Sequence, residues 1–164
     1  MKKVVKFGGS SLASAEQFKK VGNIIRAEES RRYVVPSAPG KRFSADTKVT
    51  DMLYGCYAAA ENGEDFTEKL AAIKDRYQEI IDGLGLKLSL DEDFEVIRKN
   101  FSEKAGSNYA ASRGEFLNGK IMAAYLGFEF IDAAEVVRFD ENGDFQSEIT
   151  NEIMSARLEK AKNA

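Results

Sequence analysis

The chain has 164 residues, 43% of them hydrophobic and 31% charged, which suits one domain with a real core. A net charge of −3 supplies no global field favouring nucleic acid or an anionic membrane surface. Histidine is absent, which excludes the commonest general base, the Ser-His and Cys-His nucleophile systems and most zinc sites. Any chemistry therefore falls to Lys, Arg, carboxylates, hydroxyls, backbone amides or a borrowed metal. Cys56 is the single cysteine, so no intrachain disulfide forms. Its apolar, helically spaced neighbours point to inert packing, and its solitude fits a reducing compartment. The N-terminal apolar run ends at Lys6, too short for a signal peptide or a membrane span, so the expected location is the cytoplasm.

Residues 2–7 predict a first strand, which delivers Lys6 and then the turn Gly8-Gly9-Ser10-Ser11. Glycines there are free to take φ > 0 or to approach a ligand closely, and successive N–H groups can cradle an anion. Neither the P-loop spacing nor the dinucleotide G-x-G-x-x-G fits, so the hexapeptide reads equally well as a plain strand-to-helix turn. Ser14-x-x-Gln17 has the form of a capping box, and Phe18, Val21, Ile24 and Ile25 carry a helix to about Ser30. A second strand is predicted over Arg32 to Ser37. Strand, helix, strand implies a parallel pair, with the loops at Gly8 and at Pro39-Gly40 side by side on one edge.

From Lys48 to Ala60, Val49, Met52, Leu53, Cys56 and Tyr57 mark one helix face, with Thr47 as the expected N-cap. A long helix through Phe66, Leu70, Ile73, Tyr77, Ile80 and Ile81 breaks at Gly83-Leu84-Gly85. Another starts near Asp91, with Phe94, Ile97 and Phe101 inward, and the two form a structural hairpin. A further helix follows Ser112-Arg113-Gly114-Glu115 and closes at Gly127. Phe128 to Ile131 is a third strand candidate, Asn142-Gly143 a turn, and Ile149, Ile153, Met154 and Leu158 stripe a last helix.

Three motifs carry possible chemistry. Lys6 beside Gly8, Gly9 and Ser10 could neutralise charge on a transferring phosphoryl group, or Lys6 could simply snorkel at a sheet edge. Ser37-Ala38-Pro39-Gly40-Lys41, with Thr50 in the first turn of the next helix, could hold a carboxylate, or be a surface turn. Lys41 and Arg42 are a possible phosphate contact or a solvated pair. Ser112-x-x-Glu115 is a capping box by form, or else it aims Glu115 at the amino group of a small substrate.

In this order, KFGGSS, VVPSAPGKRF with KVTDML, and SRGEFLNGKIMAAYLGFEFIDA, the chain resembles the N-terminal part of the aspartokinases, within the amino acid kinase family. The resemblance implies a three-layer α/β sandwich with a mainly parallel sheet, the carbamate kinase-like fold. It implies transfer of the ATP γ-phosphoryl group to the β-carboxylate of L-aspartate, with Mg2+, toward lysine, threonine and methionine. Lys6 then stabilises the phosphoryl group, and Gly8, Gly9 and Ser10 line its site. Ser37, Ala38 and Thr50 hold aspartate, while Glu115 holds its amino group. Residues 1–164 correspond to the substrate-side part of the kinase domain. The lobe that binds adenine, ribose and most of the triphosphate, an arginine and an aspartate near the substrate, and regulatory domains are expected beyond Ala164. The isolated chain is accordingly expected to be inactive, and to self-associate or to pair with the rest of the enzyme. The alternatives are a non-catalytic aspartate- or anion-binding assembly module, or a kinase of another amino acid.

Overall fold

The computed structural model describes residues 1–164. Strand β1 (Lys3–Phe7) pairs in parallel with β2 (Arg31–Pro36), Lys6 opposite Val35 and Phe7 opposite Pro36. A 3-10 turn (Gly9–Leu12) and helix α1 (Ala15–Arg26) connect them. Ser14 caps α1 as its sequence predicts, its Oγ accepting the Gln17 N–H at 3.5 Å. The helix stops at Arg26 rather than Ser30. Glu28 turns back to take Lys3 and the Ser30 hydroxyl, and the Arg31 N–H bonds Glu28 O at 3.0 Å to open β2.

Helices α2 (Val49–Glu61), α3 (Thr67–Gly83), α4 (Asp91–Ser102) and α5 (Ser107–Leu126) complete the body. Buried residues of α5 recur at Ala110, Gly114, Leu117, Asn118, Ile121 and Met122, a stripe that touches α1 to α4 and β2. One continuous core of 22 buried residues joins α1 to α5. Cys56 lies inside it, and burial pushes its thiol up to about 11, in keeping with a packing role. None of the helices is long and apolar enough to cross a membrane.

Three expectations are corrected. Lys48, not Thr47, is the N-cap of α2, and it lends no side chain; the Val49 N–H is satisfied instead by Pro39 O at 3.1 Å. Helix α5 starts at Ser107, behind Gly106 at φ +99°, so Ser112 lies within the helix and caps nothing. Phe128–Ile131 forms no strand, because a ladder needs a run of partners: the Phe128 N–H goes back to Ala123 O of α5 at 2.9 Å, and only the Glu129 N–H reaches another segment, at Asn163 O, 3.0 Å away. Ala164 meanwhile sits on the open edge of β2, between Arg32 O (2.9 Å) and the Val34 N–H (2.8 Å). An apolar cavity of about 690 Å³ lies between β2, α5 and this segment, lined by Val35, Phe116, Met122, Phe128, Phe130 and Ile131. Beyond it come a short helix α6 (Ala133–Val136), a Phe139–Phe145 antiparallel bridge around Gly143, and α7 (Ser147–Lys160).

Candidate functional site

Both strands release into loops that touch. The Ser37 N–H bonds Phe7 O at 3.0 Å, and the Gly40 N–H bonds Gly9 O at 2.8 Å. A Cβ on Gly40 would lie 2.6 Å from Gly9 C and 2.8 Å from Ser10 N; one on Gly9 would lie 2.8 Å from Ala38 O. Close approach, not φ > 0, is therefore what this contact asks of its glycines. Gly8 itself is extended, and the positive-φ glycines all lie elsewhere. The N–H groups of Gly8, Gly9 and Ser10 have no acceptor within the chain, so successive donors stand free at the end of β1, beside exposed Lys6.

The second loop is held from beneath. Ala38, Pro39 and Gly40 are buried. Gly114 lets α5 come so near that a Cβ there would sit 2.7 Å from Ala38 Cβ. This approach brings Glu115 Oε1 to the Ala38 N–H at 3.3 Å and leaves Oε2 of the exposed carboxylate free. One turn on, buried Asn118 donates to Ser37 O at 2.6 Å. Pro39 O ties the loop to the start of α2, so half-buried Thr50 stands in a first turn whose amides include unpaired donors. Of the third motif only Gly114 and Glu115 face the loops. Ser112 bonds Tyr109 O, and Arg113 stacks between Tyr109 and Phe116 at 4.6 and 4.5 Å.

Helix α3 braces all three segments. Tyr77 Oη donates to Gly114 O at 2.8 Å, and burial first, then the Glu115 charge, pushes its hydroxyl well above its ordinary value. Arg76, 4% exposed, donates to Ala13 O (3.2 Å) and Gly40 O (2.9 Å) and lies 3.4 Å from Asp46. Arg42 is exposed, but it is not a free cation; it binds Asp46 at 2.8 Å and Glu79 at 2.7 Å. Its hydrogen bond holds the Asp46 carboxyl far below the usual range, with the Arg42 and Thr47 amides and the Arg76 charge adding and burial opposing. Lys41 only reaches Ser44 O, at 3.4 Å.

The glycine loops, Ser37, Ala38 and Glu115 are thus bonded into one surface, with Lys6 and Thr50 at its margins. The large cavity lies off this surface, sharing Ser112, Arg113 and Glu115 at its rim. The amino acid kinase family profile matches residues 1–162. The chain belongs to the amino acid kinase family. It is 39% identical to aspartokinase 3 of Bacillus subtilis over 166 residues, covering 95% of this chain and 35% of that protein. A crystal structure of Clostridium acetobutylicum aspartate kinase superposes with a TM-score of 0.94 at 47% identity, covering all of this chain and 38% of that one. Escherichia coli aspartokinase III in complex with aspartate and ADP shares the fold, with a TM-score of 0.78 at 22% identity over 96% of this chain and 38% of that one. The chain thus spans about a quarter to a third of the length of the curated relatives it matches. Its α/β architecture is that of the amino acid kinases.

Sequence reasoning missed Arg76, Tyr77, Asp46 and Asn118. The signal for Arg76 was a charge set into the apolar stripe Ile73–Tyr77–Ile80. For Asn118 it was an amide four residues after Gly114, on the same helix face.

Proposed function

We propose that these residues are the substrate-side part of an aspartate kinase, which transfers the γ-phosphoryl group of ATP to the β-carboxylate of L-aspartate. The observation that carries this reading is the joining of three separate motifs into one surface: Gly40 on Gly9, Ala38 on Gly114, and the Glu115 carboxylate on the Ala38 amide. The printed names of the Bacillus and Clostridium relatives support it, as does the aspartate and ADP bound by the Escherichia coli enzyme.

Each residue then has a task. Lys6 and the free amides of Gly8, Gly9 and Ser10 neutralise and orient the phosphoryl group, which needs positioning and charge rather than a covalent intermediate. Ser37, Ala38 and the first turn of α2 at Thr50 take the substrate carboxylates. The free Oε2 of Glu115 takes the ammonium group. The transferring end of a nucleoside triphosphate suits the first loop, where the N–H groups of Gly8, Gly9 and Ser10 are unpaired. No three acidic side chains are placed together to hold a metal ion, and the Mg2+ that the resemblance implies is expected to arrive with the nucleotide phosphates, where it neutralises their charge. Adenine, ribose and regulatory sites belong, in this reading, to segments beyond the substrate side. The enzyme is expected to be a cytoplasmic homo-oligomer making 4-phospho-L-aspartate for lysine, threonine and methionine synthesis.

Isothermal titration with L-aspartate and L-glutamate tests the assignment. Aspartate should bind in preference, and Glu115→Gln should weaken it about tenfold or more, the scale of a hydrogen bond to a charged group. Equal binding of both amino acids, or no effect of Glu115→Gln, overturns it.

A further inference from the structure

We propose that Arg76 is a positioning residue of the site: its buried guanidinium fixes the spacing and facing of the two glycine loops. The proposal rests on the kinase reading above. Arg76 leaves α3 from within the apolar stripe of Ile73, Tyr77 and Ile80, where a Leu or Met would pack without desolvating a charge. One of its donors, Nε, is buried with no partner at all. Such a residue is costly for stability alone. What it touches is specific. One Nη holds Ala13 O at the end of the first loop, and the other holds Gly40 O in the second. Asp46 balances the charge, and Arg42 fixes Asp46 in turn.

The fork therefore spans the gap that the Gly9–Gly40 contact closes. It also sets peptide orientation. In a planar trans peptide the C=O and the next N–H point in opposite directions, and the chain has no cis bonds. Drawing Gly40 O toward α3 turns the Lys41 N–H away from it, and that N–H makes no bond within the chain. Arg76 thereby presents one more amide donor beside those of Gly8, Gly9 and Ser10. A lysine at position 76 has a single nitrogen and cannot hold both carbonyls in the same planar geometry.

The test compares Arg76→Met, Arg76→Lys and Ile97→Ala in the intact protein, the last being a core change in α4 away from the loops. Melting temperature, kcat and KM for aspartate, and hydrogen exchange at the Gly40 N–H are measured for each. Loss of the clamp should lower kcat about 10- to 100-fold in Arg76→Met, the scale of a misplaced reacting group, with less than about a threefold rise in KM. Arg76→Lys should recover part of that loss, and Gly40 exchange should quicken about tenfold or more in Arg76→Met. Ile97→Ala should lower only the melting temperature. If Arg76→Met behaves like Ile97→Ala, with unchanged kcat and unchanged Gly40 exchange, the proposal is overturned. Should Arg76→Met not fold, Arg76→Lys decides by the same readouts. In the intact kinase, of which residues 1–164 are the substrate-side part in this reading, a wild type with no aspartate-dependent turnover sinks the kinase reading instead, and Gly40 exchange alone then judges the clamp.

Discussion

The body formed by residues 3–126 and the arm formed by residues 127–164 are built on different terms. In the body, every helix from α1 to α5 contributes to one continuous core. In the arm only Val136, Thr150 and Ala161 are buried; Phe139, Phe145 and Ile149 stand exposed, and beyond the bonds of Ala164 and Leu158 to β2 an apolar cavity lies between the arm, β2 and α5. All eight residues assigned to the site lie in the body, or on loops that the body clamps. The proposed site, which in that reading must hold charges at fixed spacing, stands where packing is dense, and the arm carries none of its residues. The lesson is physical: precision at the glycine loops derives from helices beneath them, not from the loops' own composition.

This contrast can be broken at several points. The largest effect is expected at Lys6, which is exposed and holds nothing together. Lys6→Ala should cost about 10²–10³ in turnover of the intact enzyme while leaving the melting temperature nearly unchanged; near-normal turnover would remove Lys6 from the chemistry. Next comes a paired truncation. Ile121→Ala, in the core stripe of α5, should lose about 2–5 kcal/mol in denaturant unfolding, whereas Leu158→Ala, at the cavity wall in α7, should lose less than about 1 kcal/mol. Similar losses at the two sites would mean that the arm is packed as tightly as the body.

The smallest effect concerns pH. Asp46 has its folded pKa depressed, so its contribution is fully present above the unfolded value near 4. That contribution is lost as pH falls below 4 toward the lowered value. Asp46→Asn should flatten this acid limb of the stability curve and leave the curve's shape above pH 5 unchanged. An identical acid limb in the variant would show that the Arg42–Asp46–Arg76 cluster is not what acid dissolves.

Much of the body was legible in the sequence because its signals are local. The Ser14 cap, the breaks at Gly83 and Gly127, and the 3.6-residue stripes of α2 to α4 each depend on neighbours within a turn or two. The meeting of the Gly8 and Pro39-Gly40 loops was legible too, since a parallel strand pair places both strand ends on one edge. Other features depended on distant partners and were not. Ser112-x-x-Glu115 carries a capping signature, yet Gly106 starts the helix earlier and Oε1 of Glu115 bonds Ala38, far away in sequence. Phe128–Ile131 has a strand's composition without a strand's neighbours. Arg76 disappeared into a helical pattern, because periodicity counts apolar positions and ignores what a charge among them is reaching for.

The contact of Gly9 with Gly40 has a last consequence. Two backbones meeting at their van der Waals limit make a length standard, since neither can come closer and no side chain lies between them to be exchanged. The core below can then drift by substitution, growing or shedding methyl groups, while the gauge of the mouth stays constant. Variation in stability and constancy of loop spacing become separable properties of one fold, with two missing Cβ atoms as the partition between them.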